Sequence, residues 1–274
     1  MRDLVNTVSR ELSTDPVDAG RIVADILRCR PHELYLIEGI TDGARNAVLS
    51  SLTELKNGMP LEYITGMVQF RDHVLRINAG VFIPRPETEY FVELIMKRMH
   101  KDPSRILEIG TGTGAISIAL ASSYPGARIL ATDISSRAIE NARQNIRKCG
   151  LEQRVLLVRS DAYSGIRGSF DLIVSNPPYI PRSRIHHLPK SVKDFEPVLA
   201  LDGGNLGTEL TERLILGGLD RISNGGAMAF EIDEDAVDIL RGFLTDHEIS
   251  AFRFEKDLSG SYRYLFIGVP DEES

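Results

Sequence analysis

Arg105-Ile106-Leu107-Glu108-Ile109-Gly110-Thr111-Gly112-Thr113-Gly114-Ala115 decides the fold of this chain. Residues 105–109 read as a strand, with Ile106, Leu107 and Ile109 apolar. Glycines at alternate positions then let the backbone turn tightly and approach a ligand closely. A helical pattern follows over residues 115–122, and the same alternation continues downstream. Strands are predicted over 128–132, 155–158, 170–175 and 227–232, and helices over 137–148, 210–222 and 235–244. Residues 251–254 and 263–269 read as strands with no helix between them. The repeated order predicts an α/β, doubly wound sheet, and the closing hairpin predicts that its last strand is antiparallel.

The turn does not choose its ligand, because Gly110, Gly112 and Ala115 also satisfy the dinucleotide pattern G-x-G-x-x-G/A. Asp133 ends the second strand, where a carboxylate can hold both hydroxyls of a ribose. An Asp at that place also serves as an N-cap for the helix beginning near Ser135. Asp161-Ala162, at the end of the third strand, offers a carboxylate and a backbone amide to an adenine edge.

The fourth strand separates the possibilities. A nicotinamide enzyme needs a proton-transfer group there, commonly His, Tyr or Lys. Here the strand Phe170-Asp171-Leu172-Ile173-Val174 runs into Ser175-Asn176-Pro177-Pro178-Tyr179. Two consecutive prolines stiffen the backbone and remove two donors, so the carbonyls stay free. The Asn176 side-chain carbonyl and the Pro177 backbone carbonyl can accept both hydrogens of an –NH2 group, and Tyr179 offers a flat face to cover it. The same residues also make an ordinary Asx-type turn stiffened by Pro-Pro. As a functional site, the edge suits S-adenosylmethionine lying across strands one to four with an amide or exocyclic amine beside it.

The chain has 274 residues, enough for one large or two modest domains. With 42% hydrophobic and 26% charged residues it has the composition of a soluble globular protein. No apolar run approaches the ~18 residues of a membrane span. An acid at Asp3 and the lack of a long apolar stretch speak against a signal peptide, so a cytoplasmic location is expected. Cys29 and Cys149 lack any CxxC or His-rich setting and read as free, at least partly buried thiols; no metal site is expected. The six histidines fall outside every motif. A net charge of −7 argues against a phosphate-neutralising nucleic-acid binder and is compatible with a basic protein partner.

Residues 1–62 read as a helical domain. Asp15 and Pro16 start its second helix, and another runs from Asp42 to about Asn57. Residues 63–85 form a β-hairpin and linker, with strands over 67–70 and 74–77. Residues 86–274 form the α/β domain. In Val81-Phe82-Ile83-Pro84-Arg85-Pro86-Glu87-Thr88-Glu89 the prolines favour extended geometry, with helix resuming at Tyr90. The segment reads as a lip over the site with Phe82 as an apolar wall, or equally as a rigid linker.

Pro60-Leu61-Glu62-Tyr63-Ile64-Thr65-Gly66, Ile83-Pro84-Arg85-Pro86-Glu87-Thr88-Glu89, the glycine turn, Ser175-Asn176-Pro177-Pro178-Tyr179-Ile180, Phe195-Glu196-Pro197 and Ala200-Leu201-Asp202-Gly203-Gly204 occur in this order. Together they resemble the release-factor glutamine methyltransferases of the HemK/PrmC family, over roughly the whole chain. Asn-Pro-Pro-Tyr alone is shared with DNA and RNA amino-methylating enzymes, whereas the Pro-Arg-Pro-Glu-Thr-Glu segment with Phe-Glu-Pro is far more specific. The resemblance implies a class I, Rossmann-like methyltransferase domain behind a small helical substrate-recognition domain. It implies S-adenosyl-L-methionine as donor, held by Glu108, Gly110, Thr111, Gly112, Thr113, Gly114, Asp133, Ile134, Asp161, Ala162 and Asn176. Asn176, Pro177, Pro178 and Tyr179 would be catalytic, and Phe82, Pro84 and Arg85 would join them in holding substrate. The acceptor implied is a glutamine of a peptide-chain release factor. The chain departs from the family at Asp233 and Ala236, where Gly and Gln are usual, and at Ala162, where an aromatic is common. A ribosomal-protein glutamine methyltransferase, a DNA or RNA amino-methyltransferase, and a non-catalytic cofactor-binding protein stay open as alternatives.

Overall fold

The computed structural model describes residues 1–37 and 39–269. They divide into two compact units: Met1–Met67 with Pro189–Phe195, and Val68–Leu188 with the chain from Glu196 onward. From sequence the front boundary lies near residue 62 and the hairpin is a linker. By compactness the division falls after Met67, and nearly all of the hairpin belongs to the second unit.

The first unit contains α1 (Arg2–Leu12), α2 (Pro16–Leu27), α3 (Asp42–Lys56) and α4 (Leu61–Thr65). Asp15 caps α2 by accepting from the backbone N–H of Val17 and Asp18 at 2.7 and 3.0 Å, and Pro16 takes the first helical position. Thr41 caps α3 through Ala44 N–H. Leu4 and Val8 of α1, Val23 of α2 and Val48 and Leu52 of α3 recur at helical spacing and meet in one buried cluster.

The second unit takes all but Met67 of a hairpin, β1 (Met67–Phe70) and β2 (His73–Arg76), then α5 (Pro86–Arg98). The α/β alternation follows as β3 (Arg105–Ile109), α6 (Ala115–Ser123), β4 (Arg128–Asp133), α7 (Ser136–Lys148), β5 (Val155–Arg159) and β6 (Phe170–Ser175). The one-turn α8 (Lys190–Lys193) belongs to the first unit. The chain then adds α9 (Glu209–Leu219), β7 (Ile222–Glu231), α10 (Val237–Asp246), β8 (Phe252–Lys256) and β9 (Tyr262–Ile267).

The seven strands lie in the order β5-β4-β3-β6-β7-β9-β8. The chain builds outward from β3 through β4 and β5, then returns to place β6 on the other side of β3. That reversal is the topological switch point where open α/β sheets bind ligands. Ile109 stands opposite Ser175 and Thr132 in register, so three strands end together and their loops converge. Apolar side chains of β3, β6 and β7, including Leu107, Ile173 and Phe230, pack with Leu214 and Leu240 from α9 and α10.

Three expectations are corrected. Helix α5 starts at Pro86, not Tyr90: Arg85 is extended, with φ −107° and ψ 155°, and Pro86 has the φ a first helical residue needs. Helix α9 ends at Leu219, and Ile222 begins β7 because it pairs with Phe170 on β6. Residues 234–236 form a single 3-10 turn ahead of α10. The last strand is antiparallel as expected: β9 pairs antiparallel with both β7 and β8 and lies between them.

Candidate active site

A cleft of about 310 Å³ opens at the switch point, within the range that holds small ligands. Its floor is the glycine turn. Gly110, Gly112 and Gly114 have φ of 76°, 55° and 83°, which only glycine adopts without strain. Gly110, Thr111, Gly112 and Thr113 line the cleft; Gly114 does not. A Cβ on Gly114 would sit 3.3 Å from Ala142 Cβ, so its role is to let α6 approach α7. From α7, buried Asn145 donates to the carbonyls of Thr113 and Arg76 at 2.9 Å, tying the turn to β2.

Glu108 lies beneath the turn, 1% exposed, accepting from the hydroxyls of Thr111 at 2.8 Å and Ser117. Burial raises its pKa to about 7 against these hydrogen bonds. Asp133 accepts from the N–H of Gly112 at 2.9 Å and of Ser135 at 2.8 Å. Burial also raises its pKa, opposed by those two bonds. It is not the cap of α7: Ser135 is, through Ala138 N–H. The carboxylate therefore braces the turn from the next strand while it lines the cleft. Ile134, 44% exposed, and half-buried Ala162 add apolar wall. Asp161 also lines the cleft, with its carboxylate paired to Arg213 of α9.

Opposite the turn stands the loop after β6. A Cβ built on Gly110 would lie 3.9 Å from the Asn176 carbonyl oxygen, so turn and loop nearly touch. Asn176, Pro177, Pro178 and Tyr179 all line the cleft. Asn176 Nδ2 donates to Thr88 Oγ1 at 3.1 Å, and that hydroxyl donates to Glu231 Oε2 at 2.8 Å. Tyr179 donates to the other oxygen of Glu231 at 3.3 Å. Burial pushes the Tyr179 hydroxyl well above its usual range, with Glu231 adding to the effect. Behind the loop, Gly203 packs so closely that a Cβ would stand 2.7 Å from Tyr179 Cα, and its N–H donates to the Ile180 carbonyl.

The third wall is the segment before α5. Phe82 and Pro84 line the cleft, whereas Arg85 does not. Arg85 pairs with buried Glu196 and stacks on Phe82 at 5.0 Å from the ring centroid. Glu196 also accepts from Ile83 N–H at 3.2 Å. The glutamate of Phe-Glu-Pro thus fixes the lip, and Arg85 holds that lip from outside.

Thr88 and Glu231 are the residues sequence reasoning left without a role. Glu231 carried a signal, a lone acid closing the apolar run Ala227 to Phe230 on a buried strand. Arg213 gave none, since it meets Asp161 across 52 residues. Glu231 is 1% exposed, and burial raises its pKa to about 7 against hydrogen bonds from Thr88 and Tyr179 and the charge of Arg263. Glu108 and Glu231 both titrate above the ordinary 4.5, so the folded protein holds their protons more tightly than the unfolded chain does. Their stabilising contribution is full below that value and is lost as pH rises through about 7. The full loss is on the order of 3 kcal/mol per acid. Thermal melts at pH 5 and pH 8 should therefore show a smaller pH-driven drop for Glu231→Gln or Glu108→Gln than for the parent protein. Equal drops would mean that both carboxylates ionise freely.

A release factor glutamine methyltransferase of Moorella thermoacetica is 35% identical over 100% of this chain and 99% of its own length. Its counterpart in Lactococcus lactis is 38% identical over 84% and 85%. The chain belongs to the release factor glutamine methyltransferase family. The methyltransferase small domain family model matches residues 74–189, which span the lip, the glycine turn and the Asn-Pro-Pro-Tyr loop. Solved structures share the fold. A methyltransferase from Pyrococcus furiosus covers 70% of this chain and 87% of its own at 23% identity and a TM-score of 0.54. A ribosomal protein L11 methylase from Lactobacillus delbrueckii subsp. bulgaricus covers 70% and 82% at 22% identity and 0.51. Among family members, then, the cleft at the switch point is the candidate active site, and the Glu231–Thr88–Asn176 chain lies at its wall.

Proposed function

We propose that this protein transfers a methyl group from S-adenosylmethionine to the side-chain amide nitrogen of a glutamine in the Gly-Gly-Gln loop of a peptide-chain release factor, in the cytoplasm. Family membership supports the acceptor. The observation that carries the chemistry is the state of Asn176: its amide nitrogen is engaged by Thr88, so it meets the cleft as an acceptor beside the Pro177 carbonyl. Among the described residues no helix is long and apolar enough to cross a membrane.

The donor fits the residues present. The glycine turn leaves open space above Gly112, the Asp133 carboxylate stands at the second strand end, and Ile134 and Ala162 supply apolar wall. Gly110 to Thr113, Asp133, Ile134, Asp161 and Ala162 would hold it. Bound there, it supplies an electrophilic methyl group on a sulfonium.

The amide nitrogen of glutamine is a poor nucleophile because its lone pair is delocalised into the carbonyl. Asn176 and the Pro177 carbonyl would hold both N–H groups and orient the nitrogen. They attract more strongly as positive charge develops on that nitrogen, which favours the transition state over the ground state. Phe82, Pro84 and Tyr179 would exclude water, and the extra proton leaves to solvent after transfer. The helical unit would contact the release factor away from the loop, adding affinity that a short loop cannot supply.

The test offers labelled donor to an intact release factor, a Gly-Gly-Gln peptide, a ribosomal protein and duplex DNA in parallel. Label should appear on the loop glutamine, with the intact factor a better acceptor than the peptide. Label on the ribosomal protein would replace the substrate and keep the chemistry. Labelled DNA with steep salt dependence would overturn the reading.

A further inference from the structure

We infer that Thr88 is a positioning residue whose hydroxyl, held as a donor to buried Glu231, fixes the Asn176 amide so that its oxygen faces the acceptor –NH2. The inference rests on the proposed reaction and adds a residue to it. A hydroxyl has one hydrogen, and where Glu231 is ionised, above about pH 7, the Thr88 hydrogen goes to Glu231 Oε2 at 2.8 Å. What remains on Thr88 Oγ1 is a lone pair, and Asn176 Nδ2 fills it at 3.1 Å. The polarity of the chain is thereby set from its buried end. An Asn amide is nearly symmetric in shape, so packing alone does not choose between its oxygen and nitrogen. A rotation by half a turn would present –NH2 to –NH2 and repel the acceptor. Thr88 is 4% exposed on the first turn of α5, and Glu231 ends β7, so the chain is anchored in two rigid elements. Glu231 also receives the Tyr179 hydroxyl on its other oxygen, so one buried carboxylate orients both side chains that face the substrate.

The test turns on the order of two variants. If Thr88 only fills space, isosteric Thr88→Val is the better replacement, and Thr88→Ser, which loses a methyl group, is the worse. The inference expects the reverse: Thr88→Val lowers kcat about 10–100-fold with S-adenosylmethionine Kd within about two-fold, and Thr88→Ser stays within about three-fold of the parent. Val matching or exceeding Ser in kcat overturns it. A second measurement does not depend on turnover or on a Thr88 variant. The Asn176 side-chain amide protons, assigned in 15N spectra by their absence from Asn176→Asp, should be protected from solvent exchange in the parent protein. Exchange at the rate of a free amide would overturn the inference. If the parent protein methylates no glutamine acceptor at all, the proposed function fails, and the amide measurement still decides whether Thr88 holds Asn176.

Discussion

Asn176→Ala should lower methyl transfer by about 10²–10³-fold while S-adenosylmethionine affinity stays within a few-fold, the scale seen when one preorganised partner of a developing charge is removed. The residue sits at the first position after β6, where the chain leaves the sheet beside the glycine turn. Its side chain is tied to Thr88. Alanine keeps the loop: Pro177 and Pro178 fix its backbone, and the Ile180 bonds to Leu201 and Gly203 hold its far end. What disappears is one of two acceptors for the substrate amide, so the loss should fall on kcat. Isothermal calorimetry with the donor, beside single-turnover kinetics, checks both halves. A donor affinity that collapses with turnover would make Asn176 a cofactor or folding residue. Asn176→Asp is informative beside it, since an ionised carboxylate can no longer donate to Thr88.

Asp133→Ala should do the reverse, weakening donor binding by about 1.5–3 kcal/mol through a lost charge-assisted hydrogen bond. Here the side chain has two tasks. Its oxygens accept from Gly112 and Ser135, which holds the glycine turn against the second strand, and its remaining lone pairs line the cleft. Asp133→Asn separates them, since the amide oxygen can keep one backbone bond while the charge is gone. An alanine variant with an unchanged donor Kd would leave Asp133 with the turn-bracing role alone. If asparagine restores most of the affinity, bracing dominates; if it stays as weak as alanine, the charge toward the ribose dominates.

Local chemistry made much of this protein legible from its sequence. Strand and helix alternation, the glycine turn, the Asp15–Pro16 helix start and the stiff loop after β6 each depend on a few neighbouring residues. Short-range sterics and capping act without the rest of the fold, so the α/β class and the two faces of the cleft followed from them. Element ends were another matter. Helix α9 stops and β7 starts where Ile222 finds Phe170, a partner 52 residues away, and β9 slips between β7 and β8 through pairing on both sides. The same holds for the polar groups behind the site. Thr88, Asn176 and Glu231 come from one helix and two strand ends, and their bonds span 88 and 143 residues. Arg85 looked like a substrate contact until Glu196, 111 residues on, claimed it. A hydrogen bond between buried groups is specified by where the sheet register brings their backbones, and no local pattern records that distance. Sequence by itself therefore determined the kind of fold and most of the residues named for the cleft wall, while only the tertiary structure decided what holds those residues in position.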